Sequence, residues 1–489
     1  MLSIRKNLAY NFLLSASQVL LPLISIPYVS RVLSPEGIGK VSFIDSFTYY
    51  FICIAEFGIA LYGIREVAKL RNKQEERDKL VSELLSLHLL SSLVTMALYA
   101  ILITILWQKV QDPRLVWFSI SFLLVNSFTC EWYFKGMERF RYITLRSLIT
   151  RLLGLISIFL LVKQPEDYYL YYAIMVAAAI ANLLWNNIVL FREVNLRFRD
   201  IRWKRHLQYT SVIYAISLVY SISLMLDNVL LRLVSTAAVV GIYAFAAKIV
   251  RMIAVLFTDT ITVIFPRIIA LQSEGSEAGM KELMQKNLQL LVFFTVPASV
   301  GIGLSAGPLV RLFLGAQFEE AIPCVQVLAA FPLLKSLNIF YCNQVLIAHH
   351  KEKLALWSLL TGNLAFIPLT LILSFEWQYM GAAIALLASE LLVLLTAYGL
   401  ASKHFPALRF SNPVTFLHAV LGSVLFVPVF GWLNQSALAD WLILLMGVPL
   451  CALLYICAQF FVLRNAFALG LKQWVSSIVS RKQHHEQAP

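Results

Sequence analysis

The stretch VVGIYAFAAKIVRMIAVLFTD, Val239 to Asp259, is apolar and long enough to cross a bilayer, yet it carries Lys248 and Arg251 near its middle. At ~1.5 Å rise per residue, Lys248 lies ~14 Å from the outer edge of a hydrocarbon layer ~30 Å thick, so snorkelling cannot easily carry it to water. Arg251 follows one turn later, and Asp259 returns to the same face of the helix. A charge at mid-bilayer costs roughly 2.5–3.5 kcal/mol on insertion scales, so such groups usually face a bundle interior or a wet cavity. Ammonium and guanidinium groups in a wet cavity bind anions. Lys335 and Glu390 fall near the centres of two later apolar runs, at similar depth; Arg151, a further candidate cavity cation, and Glu131 lie near the inner ends of theirs, where snorkelling to the interface competes evenly with lining the cavity. For Lys248 and Lys335 the rival to a cavity is a buried ion pair that fixes helix packing, for instance with Glu390 or Asp227. The intramembrane acids Asp45, Glu56, Asp227 and Glu390 are the candidates for binding a coupling H+ or Na+.

The elements that must position these groups are membrane helices. Of 489 residues 60% are hydrophobic and 14% charged, and apolar runs of about twenty residues recur throughout, as expected for an all-α polytopic membrane protein. A transmembrane barrel would show alternating segments of about ten residues, and these are missing. The runs lie at 8–30, 41–62, 84–107, 113–134, 144–162, 168–190, 208–231, 238–259, 287–310, 323–347, 354–375, 379–401, 412–432 and 438–463, which makes fourteen spans. Six cysteines fall within these runs without CxxC spacing and read as small core hydrophobes. The first run contains Pro22 and Pro27 and lacks a small-residue cleavage site, so it stays as a helix rather than a signal peptide.

The net charge of +13 raises nucleic acid as a partner, but the basic residues sort by membrane side instead. Of 40 Lys and Arg, about 29 fall on one side of the predicted spans, about 7 on the other and 4 within helices. The positive-inside rule makes the rich side cytoplasmic and puts both termini there.

The chain also repeats. RVLSPEGIGKVSF (Arg31 to Phe43) at the first outer turn recurs as RLVSTAAVVGIYAF (Arg232 to Phe245), and SLIT (Ser147 to Thr150) recurs as SLLT (Ser358 to Thr361). Both offsets are about two hundred residues and preserve sidedness, which predicts two six-helix lobes related by an axis along the membrane normal. The expected domains are 1–205 (N-lobe), 206–409 (C-lobe), 410–463 (two peripheral spans that could shelter a lipid tail) and 464–489 (cytoplasmic tail). Trp474 marks an amphipathic segment in that tail, and Arg481 to Pro489 reads as disordered. Pro22 and Pro27 interrupt helix one and are candidate gating points, and Pro266 ends helix eight. His349 and His350 lack metal-ligand spacing, and GIGLSAG (Gly301 to Gly307) has no preceding strand and reads as close helix packing rather than nucleotide binding. No catalytic group, metal or cofactor is expected.

LPLISIPYVSRVLSPEGIGKVSF, GMERFRYITLRSLITR, LDNVLLRLVS, FPRIIALQ and LIAHHKEKLAL resemble the polysaccharide transporter family, and more narrowly its Wzx-type O-antigen flippases. Their superfamily also holds multidrug antiporters and the lipid II flippase. The resemblance covers roughly the first four hundred residues and is most specific around Pro22, Pro27, Arg31, Pro35 and Gly39. It implies fourteen helices in two lobes and a cationic cavity. It also implies export of undecaprenyl-diphosphate-linked oligosaccharide, for O-antigen or a related surface polysaccharide such as lipopolysaccharide, across the inner membrane. Expected partners are that lipid-linked substrate, the membrane, and a polysaccharide polymerase and chain-length regulator; nucleic acid is not one. A multidrug or cation antiporter of the same superfamily is the nearest alternative, and a membrane glycosyltransferase or polymerase a more distant one.

Overall fold

The computed structural model describes residues 4–110, 112–197, 201–405, 413–465 and 467–469. Among these the regular structure is helical throughout, with no strand. The helices are α1 (Ile4–Val32), α2 (Pro35–Glu56), α3 (Ile59–Lys69), α4 (Gln74–Ile105), α5 (Trp107–Val110), α6 (Pro113–Asn126), α7 (Glu131–Gly136), α8 (Phe140–Leu161), α9 (Tyr168–Glu193) and α10 (Lys204–Val234). They continue as α11 (Ala237–Ser273), α12 (Glu277–Leu304), α13 (Ala306–Leu314), α14 (Ala321–Leu328), α15 (Phe331–Ile339), α16 (Glu352–His404), α17 (Pro413–Val424), α18 (Phe426–Gln435) and α19 (Asp440–Cys457).

Twelve helical stretches among the described residues are long and apolar enough to cross a membrane. α16 holds two of the expected runs, joined at Gln378, whose φ of 47° and ψ of −125° break the helical backbone. α10 covers the seventh run; some of the expected runs lie in one helix and others are divided between successive helices, as 41–62 is between α2 and α3 and 287–310 between α12 and α13. This is a multi-pass helical membrane protein. Two expectations about proline need correction. α1 runs through Pro22 and Pro27 without interruption, and α11 continues past Pro266 to Ser273. A proline removes one backbone bond, and the turns on either side carry the helix on. The amphipathic segment expected around Trp474 and the disorder expected from Arg481 lie outside the described residues.

The chain divides into two compact units, one of Met1–Ala244 with Ser374–Tyr379 and one of Phe245–Leu373 with Met380–Pro489. In the first, α10 packs on α2 and α3. Tyr50 donates to the Ser221 carbonyl at 3.0 Å, and Asn228 donates to Ser46 at 3.0 Å. α2 starts where the sequence says it should: the Ser34 hydroxyl accepts from the Gly37 N–H at 3.2 Å, and Pro35 occupies the first turn. At the start of α2 and α11 the two copies of the repeat meet. A methyl group on Gly39 would lie 1.7 Å from the Ala237 carbonyl oxygen, and one on Gly241 would lie 1.9 Å from that of Pro35. Only glycine allows backbones this close. Nearby, the buried Asp112 accepts from Tyr168 at 2.6 Å and from both edges of Arg114 at 2.9 and 3.1 Å. Burial pushes the Asp112 carboxyl up, but these hydrogen bonds outweigh it and hold the group below the usual carboxylate range.

In the second unit, α11, α12, α15 and α16 share a core around Met284, Leu291, Phe340, Val345 and Val393. The two halves of α16 close on each other at Gly362, where a methyl would meet Val393 at 2.3 Å. A second core joins α12 to α17, α18 and α19 through Phe293, Phe426, Phe430 and Tyr455, and the Tyr455 hydroxyl donates to the Phe293 carbonyl at 2.8 Å.

Two outcomes follow. Gly39→Ala or Gly241→Ala forces the backbones apart and should cost on the order of 3 kcal/mol, as overpacking does; a thermal unfolding midpoint equal to wild type in detergent would contradict the contact. Asp112→Asn should lower that midpoint at neutral pH. Because the folded carboxyl titrates below its unfolded value, the wild-type advantage is complete above about pH 4 and fades as the pH falls further. A difference that grew on acidification would be the wrong sign.

Candidate functional site: buried charges within the helices

The second unit holds Lys248, Arg251 and Lys335. Lys248 sits on α11 among the buried neighbours Ala246, Ala247, Ile249 and Val250. Among the described residues it makes no hydrogen bond or ion pair, and its ammonium lies 5.8 Å from the centroid of the Phe245 ring. Arg251, one turn on, lies 6.0 Å from the Phe331 ring centroid. An aromatic face attracts a cation but leaves it able to take an anion, as at Lys248. Asp259, expected on the same stripe, is exposed.

Lys335 has a different environment. Its ammonium donates to Glu390 at 2.8 Å, and Asn338 donates to the other carboxylate oxygen at 2.6 Å, with Glu390 4% exposed and Lys335 24%. This is the ion pair weighed against a cavity in the sequence. α15, which carries Lys335 and Asn338 one turn apart, is thereby fixed to the second half of α16. Asn338 also donates to the Glu390 carbonyl at 2.9 Å.

The first unit holds most of the acids. Asp227 is 1% exposed and accepts from Tyr243 at 2.7 Å. Asp45 lies half-buried on α2 in the field of Tyr172. Glu131 accepts from the buried Arg146 at 2.6 Å and pairs with the partly exposed Lys135 at 2.9 Å, so it joins α7 to α8. Arg151 donates to Ser17 at 2.8 Å and links α8 to α1. Glu56, the last residue of α2, has no hydrogen bond or ion pair among the described residues and borders a pocket of about 200 Å³ with His88 and Lys135.

Sequence reasoning missed His88, 2% exposed, and a cluster in which Glu83 accepts from Arg205 and meets the His206 ring at 2.9 Å. A histidine in a run of leucines and serines was the available signal for the first. For the second, helix three was started one residue too late to include Glu83. The expected close packing at GIGLSAG is also corrected. That holds at Gly301, where a methyl would meet nothing within 4 Å and the residue borders an apolar cavity of about 510 Å³ lined by Phe293, Pro297, Phe426, Phe430 and Tyr455, but not at Gly303 of the GxxxG, where a methyl would meet the Ala329 side chain at 3.5 Å. No cluster of metal-ligating side chains occurs among the described residues.

Residues 4–272 match the family described as polysaccharide biosynthesis protein. The chain belongs to that family. Within it, the sequence is 27% identical over 405 residues to a "Putative O-antigen transporter" of Escherichia coli (strain K12), covering 80% of this chain and 95% of that one. A protein of the same description from Shigella dysenteriae is 24% identical over 408 residues, covering 80% and 98%. In fold, this family member is similar to the lipid II flippase MurJ in an inward closed conformation, with a TM-score of 0.72 at 15% identity over 95% of this chain and 99% of that one. It is also similar to an inward-facing multidrug resistance MATE family transporter, with a TM-score of 0.60 at 15% identity over 79% and 95%. These relatives are transporters and flippases, not enzymes.

The Lys335–Glu390 pair predicts a coupled response. Lys335→Met and Glu390→Gln should each cost roughly 3 kcal/mol by stranding the other charge, and the double variant should recover much of it. Single effects that simply add in thermal unfolding would mean that the two groups do not pair.

Proposed function

We propose that the protein is a flippase that moves undecaprenyl-diphosphate-linked oligosaccharide from the cytoplasmic to the outer leaflet of the inner membrane. Sugars and a diphosphate lose their hydration in hydrocarbon, so they cannot cross unaided. The observation that carries the reading is Lys248, a lysine deep in a spanning helix with no ion-pair partner among the described residues. An unpaired cation at that depth needs an anion, and a diphosphate supplies one. Arg251 stands one turn away as its second contact, while Lys335 and Arg151 serve the scaffold or a later state. The apolar cavity between α12 and the last two spans suits part of an isoprenoid tail. The family and the O-antigen transporters it resembles favour the same cargo.

Alternating access would come from the two lobes rocking, with both termini cytoplasmic and the Gly39–Gly241 contact closing the outer side. An ion gradient drives the cycle through a buried carboxylate. Glu390 and Asp227 are occupied by Lys335 and Tyr243, which leaves Glu56 as the strongest of the four candidate acids. A cation or drug antiporter would use unpaired acids in place of Lys248 to hold its cargo.

Deletion of the protein should make a lipid-linked repeat unit accumulate on the cytoplasmic leaflet, read by mass spectrometry of extracted lipids. Lys248→Ala should lower surface polysaccharide at least tenfold at unchanged membrane abundance, and Lys248→Arg should restore part of it. Normal polysaccharide in Lys248→Ala cells, or hypersensitivity to cationic drugs without lipid accumulation, would remove the proposal.

A further inference from the structure

α2 and α3 are one apolar run broken at a strained point. Phe57 adopts φ of 44° and Gly58 φ of 72°, and the Phe57 ring is held by stacking on Tyr214 at 5.1 Å. Left-handed backbone is natural for Gly58 but unfavourable for phenylalanine, and strain of this kind collects at working sites. The break places the negative end of the α2 dipole, and with it Glu56, beside the 200 Å³ pocket. Opposite lies His88 on α4, 2% exposed, with neither ring nitrogen hydrogen-bonded. An imidazole buried with both nitrogens unsatisfied is destabilising and calls for a ligand or water in the pocket. Two hundred cubic ångströms has room for several waters.

The charges around Glu56 can be named element by element. Tyr49 and Cys53 lie on α2 itself, His88 on α4, Glu131 and Lys135 on α7 and Tyr214 on α10. The nearby cation, Lys135, is already in contact with Glu131 at 2.9 Å, and Glu131 also pairs with Arg146 at 2.6 Å. Glu56 feels the charges of Lys135 and Glu131 but bonds to neither.

We propose that Glu56 and His88 form a proton-binding site inside the first unit, at which the Glu56 carboxylate takes up a proton from pocket water and later returns it. The neutral His88 imidazole accepts from that carboxyl directly or through one water. The site rests on the ion-driven reading of the transporter and identifies the ion and its seat. It also gives the proton something to move. Deprotonated Glu56 competes with Glu131 for Lys135, whereas the protonated acid does not. Glu131 and Lys135 both belong to α7, a short helix whose Trp132 packs against Gly63 and whose Gly136 packs against Val67, both on α3. Exchange of the Lys135 contact therefore pulls α7 along α3, and the charge state of one carboxyl becomes a helix displacement.

The test is infrared difference spectroscopy of the purified full-length protein in lipid nanodiscs, titrated from acid to alkaline pH. A carboxylic-acid carbonyl band that disappears as pH rises should be lost in Glu56→Gln and retained in Glu131→Gln. His88→Leu should move its midpoint down by about one pH unit or more, since an acceptor for the carboxyl hydrogen favours the protonated acid. A single cooperative thermal unfolding transition in His88→Leu shows that the variant is folded. A spectrum unchanged by Glu56→Gln in folded protein, or a band abolished by sodium at constant pH, overturns the proposal. Titration of Glu56 without lipid accumulation in the deletion strain would keep this site and remove the flippase. Accumulation without titration would do the reverse.

Discussion

Hydrocarbon offers no partner to a polar group, so each charge within these helices must be answered by another part of the protein or by a ligand. Most are answered within their own unit. Glu390 takes Lys335 and Asn338, Glu131 takes Lys135 and Arg146, Asp227 takes Tyr243, and Arg151 takes Ser17. Each of these contacts links residues that apolar packing alone would leave free to slide, since lipid tails compete equally well for leucine. Polar contacts thus fix register where hydrophobicity cannot.

The same reasoning explains the glycines. Helices in a membrane gain by close approach, and at Gly39, Gly241 and Gly362 the approach is one that a side chain would block. Gly39 and Gly241 occupy corresponding places in the two copies of one sequence motif, and each backbone sits where the other's methyl would have been. A repeat that is faint as a string of letters is therefore exact in what it does: both copies give up the side chain at the point of contact. Gly362 does the same between the two halves of α16.

Much of this was legible in the sequence. Apolar runs located the spans because hydrocarbon thickness imposes a length, and the motif beginning at Arg31 pointed to the family because Ser34, Pro35 and Gly39 each meet a local demand of capping, helix start or contact. What could not be read was anything settled by a tertiary neighbour. The break at Phe57 is invisible because phenylalanine and glycine both belong in apolar runs. The pairing of Lys335 depends on α15 and α16 lying side by side, and its spacing from Glu390 carries no periodic signal. Continuity through Pro266 depends on helix on both sides outweighing one lost hydrogen bond. His88 was passed over because a single histidine between leucines does not disturb hydropathy.

The division between answered and unanswered charges then separates scaffold from function more sharply than depth in the membrane does. By depth alone Lys248 and Lys335 are equivalent. By partner they are opposites, one held by a carboxylate 2.8 Å away and the other left against an aromatic ring. Glu56 and Glu131 divide in the same way across one small pocket, the second bound by two cations and the first by none among the described residues. Lys248 and Glu56 have opposite signs, and each lies in a different unit. A cation without an anion and a carboxylate without a cation are what a carrier needs if it is to exchange a proton for an anionic load, because each group is satisfied only during the part of the cycle when its ligand is present.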